Sequence, residues 1–237
     1  MPETFRPFSL LHGLVLAVAA TTWMVLIGAL RRQRAAGRDW PLRRAIGLFI
    51  LATNLANFAW RWTPERFNLD SSLPLHLCDF AWMAAAWIFL DRRERQVLPR
   101  ELLFLWGFGL CTQAFVTPTR DDGPARFAFW DFWISHTEIL LGAAYSAFVL
   151  GHRPDTRSLR RVLLVSWSLY LPISAFNAVF DTPYFFSGRG RPSSATVLDH
   201  LGPYPWRILS LGLLGSGVVV LITLPFLLRR SAGSARG

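Results

Sequence analysis

Leu73-Pro74-Leu75-His76-Leu77-Cys78-Asp79-Phe80 sets an imidazole, a thiol and a carboxylate within four consecutive positions at the mouth of an apolar run. These are the parts of nucleophilic acyl transfer: a thiol that attacks, an imidazole that takes its proton, and a carboxylate that orients the imidazole. A second group, Ser135, His136 and Glu138, lies in a later apolar run. On an ideal helix His76 and Asp79 share a face, whereas Cys78 points about 200° away from His76. Two resolutions follow. The motif can occupy an irregular helix start, with Pro74 in the first turn, Ser72 or Leu73 as N-cap, and free N–H groups that favour a thiolate. Otherwise the base for Cys78 comes from another helix, and His136 is the candidate, with Asp79 or Glu138 orienting an imidazole.

The elements that must position these groups are membrane helices. The chain has 237 residues, is 52% hydrophobic and 14% aromatic, and has a mean hydropathy of +0.32, more apolar than one soluble core requires. Runs of about 20 residues, enough to cross a bilayer, fall at 9–30, 42–60, 73–90, 101–117, 130–150, 160–180 and 206–228. The expected fold is therefore all-α, a single seven-helix transmembrane domain over residues 1–237. Ala17-Val18-Ala19 resembles a signal-peptide cleavage site, but Arg31, Arg32, Arg34 and Arg38 follow the first run and retain it as an anchor.

The net charge of +10 comes entirely from arginine, without lysine. The arginines sit in short clusters between apolar runs, which excludes nucleic acid as the natural partner and points to membrane topology. Seventeen lie in loops 31–44, 91–100, 151–161 and the tail 229–237, against eight in the N-terminus and loops 61–72, 118–129 and 181–207. This alternation predicts the N-terminus outside and the C-terminus inside, with multi-pass insertion in the plasma membrane.

Polar residues within the runs gather on the outer side. Asn54, Asn57 and Arg61 line one face of the second run, Gln113 lies near the end of the fourth, Asp131 and Ser135 open the fifth with His136 and Glu138, and Asn177 follows Pro172 in the sixth, where a kink is expected. Ionisable groups in hydrocarbon normally face a bundle interior or a wet cavity, so a single outward polar chamber is expected; the plainer alternative is a network of interhelical hydrogen bonds. Loop 181–205, rich in Gly and Pro, reads as a lid carrying Asp199, His200 and Tyr204, or as a surface connection. The halves of the helices opposite the chamber read as almost purely apolar, which argues against transport.

Metal chemistry is a rival. His76, Asp79 and His136, with His12, His200 or Glu138, could hold a zinc ion with an open position for water, although no two of these histidines have the close spacing of a zinc motif. Cys78 and Cys111 sit at similar depth, so a disulfide is conceivable.

Leu73-Pro74-Leu75-His76-Leu77-Cys78, Ile134-Ser135-His136, Asn177, Arg191-Pro192 and Val197-Leu198-Asp199-His200-Leu201-Gly202-Pro203-Tyr204-Pro205-Trp206 together resemble the YwaF-like bacterial integral membrane proteins, a group similar to the transmembrane protein 164 family. The resemblance implies a relationship to lipid acyltransferases with a cysteine centre, and to androgen-induced membrane hydrolases that use Thr and His. It implies Cys78 as the acyl-accepting nucleophile and His136 or His76 as its base. The chain departs from the pattern at Thr182-Pro183-Tyr184 and at Trp206-Arg207, positions of the lid rather than of the Cys centre.

The favoured expectation is a lipid-directed acyltransferase or hydrolase without a cofactor, whose substrate is a membrane lipid. Cys78, His136, His76, Asp79 and Glu138 are its catalytic candidates. Asn54, Asn57, Arg61, Gln113, Asn177, Asp199 and Tyr204 are the candidates for holding substrate. The alternatives are a metal-dependent membrane hydrolase and a non-enzymatic binding or transport protein.

Overall fold

A computed structural model describes residues 4–119, 121–189 and 200–234, the last five of these by backbone only. Among the described residues the chain is helical and forms no strand. Helices α1 (Leu10–Ala35), α2 (Trp40–Arg61) and α3 (Leu77–Leu90) are followed by a bent rod of α4 (Leu98–Leu102), the π-helix π1 (Leu103–Cys111) and α5 (Gln113–Val116). Then come α6 (Phe127–Ala144), which runs into a short π-helix, π2 (Tyr145–Val149), α7 (Thr156–Phe180), a 3-10 turn (Tyr184–Phe186) and α8 (Trp206–Ser234). Local chemistry sets several of these starts. The Ser9 side chain caps α1 by accepting from His12 N–H, Pro41 stands in the first turn of α2, and Asp155 caps α7 by accepting from Ser158 N–H.

Three helices, Leu10–Ala35, Thr156–Phe180 and Trp206–Arg229, are long and apolar enough to cross a membrane, and α3 is a shorter apolar helix. Their flanks carry Leu14, Val18, Met24, Val25, Leu164, Leu171, Leu213 and Leu221 exposed. An apolar surface on this scale belongs against lipid. The protein is a membrane protein.

Helix α3 sits at the centre, packed against α2, α6 and the α4–π1 rod. Its run of Ala81, Ala84, Ala85 and Ala86 is buried, and small side chains let the neighbouring backbones come close. The same holds on the facing rods. A Cβ on Gly107 would lie 2.6 Å from that of Ala143, and one on Gly142 3.1 Å from that of Ala85. Polar side chains tie the periphery on: Trp23 Nε1 donates to Thr137 O (2.9 Å), Trp106 Nε1 to Ser166 Oγ (2.9 Å) and Trp167 Nε1 to Ser216 Oγ (3.1 Å). Pro172 lies inside α7, which continues to Phe180.

One end of the bundle holds the Glu94 loop, the other the start of α3. Charged side chains gather at the Glu94 end. Arg43, only 3% exposed, donates to Glu94 (2.5 Å) and to the carbonyls of Ile88 and Asp91, while Arg34 meets the same carboxylate through two bonds of 2.6 and 2.8 Å. Arg100 donates to Glu94 O. Buried Glu101 accepts from Ser158 Oγ and from Arg161. These arginines act as ties between rods.

Candidate active site

The site is built on the first turn of α3, which begins later than the sequence suggests. Pro74 is not in the helix, and neither Ser72 nor Leu73 caps it. Leu75 N–H bonds to Leu73 O (2.9 Å), closing a tight turn about Pro74, and the N-cap is His76, with extended backbone angles (φ −84°, ψ 156°). Asp79 fixes this register by accepting from His76 N–H at 2.8 Å. Leu77, Cys78 and Asp79 are therefore the first three helical residues.

Asp79 thus caps the helix through Oδ2. The His76 ring lies over this start, packed at centroid distances of 5.0 Å from Tyr184 and 5.9 Å from Phe186. Cys78 is half-buried against the central apolar cluster, Cys111 is buried, and both are free thiols rather than a disulfide.

The segment after α7 closes over this stretch. Asp181, Phe185 and Phe186 are all in the left-handed region (φ 56°, 53° and 57°), a conformation unfavourable for side chains of this size. Asn177 holds it. Fully buried, its Oδ1 accepts from Thr182 Oγ1 (2.7 Å) and Tyr184 N–H (3.2 Å), and its Nδ2 donates to Tyr184 O (2.6 Å) and Ser187 Oγ (2.8 Å). Tyr184 passes the tie onward, its hydroxyl donating to Leu69 O (2.6 Å) and accepting from Leu73 N–H (3.0 Å). Burial raises the Tyr184 pKa and the nearby Asp79 charge adds to this, against the Leu73 N–H and Arg61. Asn177, expected to hold substrate, is instead occupied by the chain itself.

Gly188 completes the closure, because a Cβ there would lie 2.0 Å from Thr182 O. Buried Arg207, at the start of α8, donates to the Gly188 carbonyl and to Arg189 O. The departure at Trp206-Arg207 therefore falls on a residue that ties the lid segment down. Gly188→Ala is expected to cost about 2–3 kcal/mol, since only backbone can move out of the way. Limited proteolysis should then cut the 181–189 segment faster than in the wild type. Tyr204 is half-buried beneath the Arg189 guanidinium, 5.5 Å from its ring centroid. Asp199 lies outside the described residues.

The other polar groups do not converge in one chamber. A cavity of about 220 Å³ between α2 and α6 is lined by Thr53, Asn54, Asp131, Ser135 and Glu138 together with Phe127, Trp130 and Ile134. Of the residues expected in the chamber it gathers Asn54, Asp131, Ser135 and Glu138. Glu138 accepts from Asn54 Nδ2 through Oε2 (2.8 Å) and meets Thr53 Oγ1 through Oε1 (2.8 Å).

His136, two residues earlier, faces the other way, as positions two apart on a helix must. It packs on Phe132 and Phe115, and its Nδ1 lies 2.7 Å from Phe132 O. A carbonyl only accepts, so in the neutral ring the proton is on Nδ1 and Nε2 is basic. Asn57 is buried, Arg61 folds over the Phe58 ring and donates to Ser71 O (2.9 Å), and Gln113 is exposed and bonded to Thr117.

The metal reading finds no ligand set. Among the described residues no three His, Cys, Asp or Glu side chains gather around one point. His12 spends both nitrogens on the backbone, Nδ1 accepting from Phe8 N–H (2.9 Å) and Nε2 meeting Phe115 O (3.0 Å).

Residues 4–223 match the TMEM164 family along nearly the whole chain, including the α3 start, the Asn177 clamp and Trp206-Arg207. The chain belongs to the TMEM164 family. Neither a curated protein nor a solved structure matches it. In this TMEM164 family member, Thr53 is the polar residue of the α2–α6 cavity that the sequence analysis did not single out. Thr53 adjoins Asn54, and Asp131 and Ser135 share the helical face of Glu138, spacings that the sequence already contains.

Proposed function

We propose that this chain is a lipid-directed acyltransferase or hydrolase of the plasma membrane, with seven crossings, an outer N-terminus and Cys78 as nucleophile. The observation that carries the reading is the position of Cys78, half-buried in the first turn of α3, two residues from the His76 that packs against Tyr184. Its family kinship and the resemblance of its HLC motif to cysteine-centred lipid acyltransferases support the same assignment.

In this reading the Cys78 sulfur attacks the carbonyl carbon of a lipid ester while an imidazole takes the thiol proton. His76 or His136 serves as that base, and on His136 the Phe132 carbonyl holds the proton of the neutral ring at Nδ1. The tetrahedral intermediate collapses with loss of the alcohol, which leaves with that proton, and a thioester remains on Cys78. A second lipid hydroxyl, or water, then takes the acyl group and the thiol is restored.

The test is labelling with a thiol-directed acyl probe in detergent or nanodiscs. Wild-type protein should form a hydroxylamine-sensitive adduct at Cys78, and Cys78→Ser should lose it at least tenfold. Labelling that persists at Cys111 alone would refute the cysteine mechanism.

A further inference from the structure

Glu138 is 5% exposed on a helix that packs in the middle of the bundle, and its two oxygens meet Thr53 and Asn54, neither of them cationic. An ionised carboxylate in such surroundings is costly unless a positive charge meets it. The hydrogen-bond geometry decides how the cost is avoided. Thr53 Oγ1 has three oxygens around it: Phe49 O at 2.9 Å, Ile50 O at 3.1 Å and Glu138 Oε1 at 2.8 Å.

A hydroxyl has one proton to give, and carbonyls cannot return one. If Glu138 is ionised, Thr53 must choose between the carboxylate and its own helix, and at least one close oxygen pair is left with no proton between. If Glu138 is a neutral acid, its O–H donates to Thr53 Oγ1, Thr53 donates to Phe49 O, and both short contacts are hydrogen bonds. Asn54 fits the neutral acid equally well, with one amide hydrogen on Ile50 O (2.9 Å) and the other on Oε2.

We propose that Glu138, Thr53 and Asn54 form a proton-binding site on the α2–α6 cavity, holding a neutral carboxylic acid that can release its proton into that cavity. On release the proton passes from Oε1 to water in the cavity, Thr53 turns its hydroxyl from Phe49 O to the carboxylate, and the Asn54 bond stays. Among the elements packed around α6, helix α2 brings Thr53 and Asn54 and carries Arg43, Arg44 and Arg61 near its ends, α3 carries Cys78 and Asp79, π1 Cys111, π2 Tyr145, and α1 His12 with Arg31, Arg32 and Arg34 in its last turns. On α6 itself His136 faces away, and the charge that acts on Glu138 is Asp131, on its own face.

The proposal goes beyond acyl transfer at Cys78 and does not rest on it. Two readouts on the full-length protein in nanodiscs test it. Dicyclohexylcarbodiimide, which adds to protonated carboxyls in apolar surroundings, should leave an N-acylurea on Glu138 at neutral pH. Infrared spectra should show a carboxylic C=O band at neutral pH that is lost in Glu138→Gln, shifts to higher frequency in Thr53→Val and keeps its position in Thr53→Ser. An unlabelled Glu138 in folded protein, a spectrum that Glu138→Gln leaves unchanged, or a band that Thr53→Val does not move would overturn it. Each outcome is independent of Cys78 labelling, so failure here and failure of the acyl-transfer reading are separate results.

Discussion

Asn177→Leu should destabilise the protein by about 3 kcal/mol and loosen the 181–189 segment over the start of α3. The figure comes from what the leucine strands. Thr182 O–H and Tyr184 N–H both lose their acceptor in a fully buried place, at roughly 1–3 kcal/mol each, while Ser187 Oγ keeps partners in Ser174 and Tyr184 O. Tyr184→Phe removes only the bonds to Leu69 and Leu73 and should cost less, about 1–2 kcal/mol. Because the same clamp holds the rings beside His76, Asn177→Leu should also raise the rate at which thiol reagents reach Cys78. Thermal unfolding in detergent and the kinetics of Cys78 alkylation measure the two effects. An unchanged midpoint together with an unchanged rate would mean that the clamp does not hold the segment.

The helices were legible because they are written as apolar runs bounded by arginine, proline and capping residues. The start of α3 was not. Leu73-Pro74-Leu75 is as apolar as the helix that follows, so hydropathy merges them, and only the pairing of Asp79 with His76 N–H marks the true boundary. The candidate site was legible as residue types but not as groupings, because depth in the membrane is one coordinate and helix face is another. The rule that separates Cys78 from His76 also separates His136 from Glu138, two apart on α6, and divides the expected chamber between the α2–α6 cavity and the far face of α6. Asn177 carried the signal of a substrate ligand, a buried amide near a helix end, yet its four partners are local and backbone-rich, which composition cannot foretell. At the opposite end, loop 91–100 reads as a topogenic cluster of arginines, and one of its two acids, Glu94, turned out to gather Arg34 and Arg43 from the two preceding helices.

Glu94→Gln tests that organisation through both its magnitude and its pH dependence. The carboxylate binds Arg34 through both oxygens, meets nearly buried Arg43 at 2.5 Å and has the Tyr145 hydroxyl at 3.4 Å, so it joins α1, α2 and π2 to the loop after α3. Removing one partner of a buried pair costs roughly 3–5 kcal/mol. Here Arg43 keeps the carbonyls of Ile88 and Asp91 and has Asp39 at 3.9 Å, and Arg34 is partly solvated, so about 2 kcal/mol is expected. Partial burial pushes the Glu94 carboxyl up, but the Arg34 hydrogen bond and the charges of Arg43, Arg34 and Arg100 outweigh it and hold its pKa below the ordinary value of 4.5. A depressed folded-state pKa contributes stability that is fully present above the unfolded value and is lost as pH falls through the folded one. The stability difference between wild type and Glu94→Gln should therefore be constant from neutral pH down to about 4.5 and shrink towards zero below it. Denaturant titrations in detergent at a series of pH values measure this directly. A difference that persists unchanged in strong acid would assign the loss to packing around Gln rather than to the charge that gathers the three helical segments.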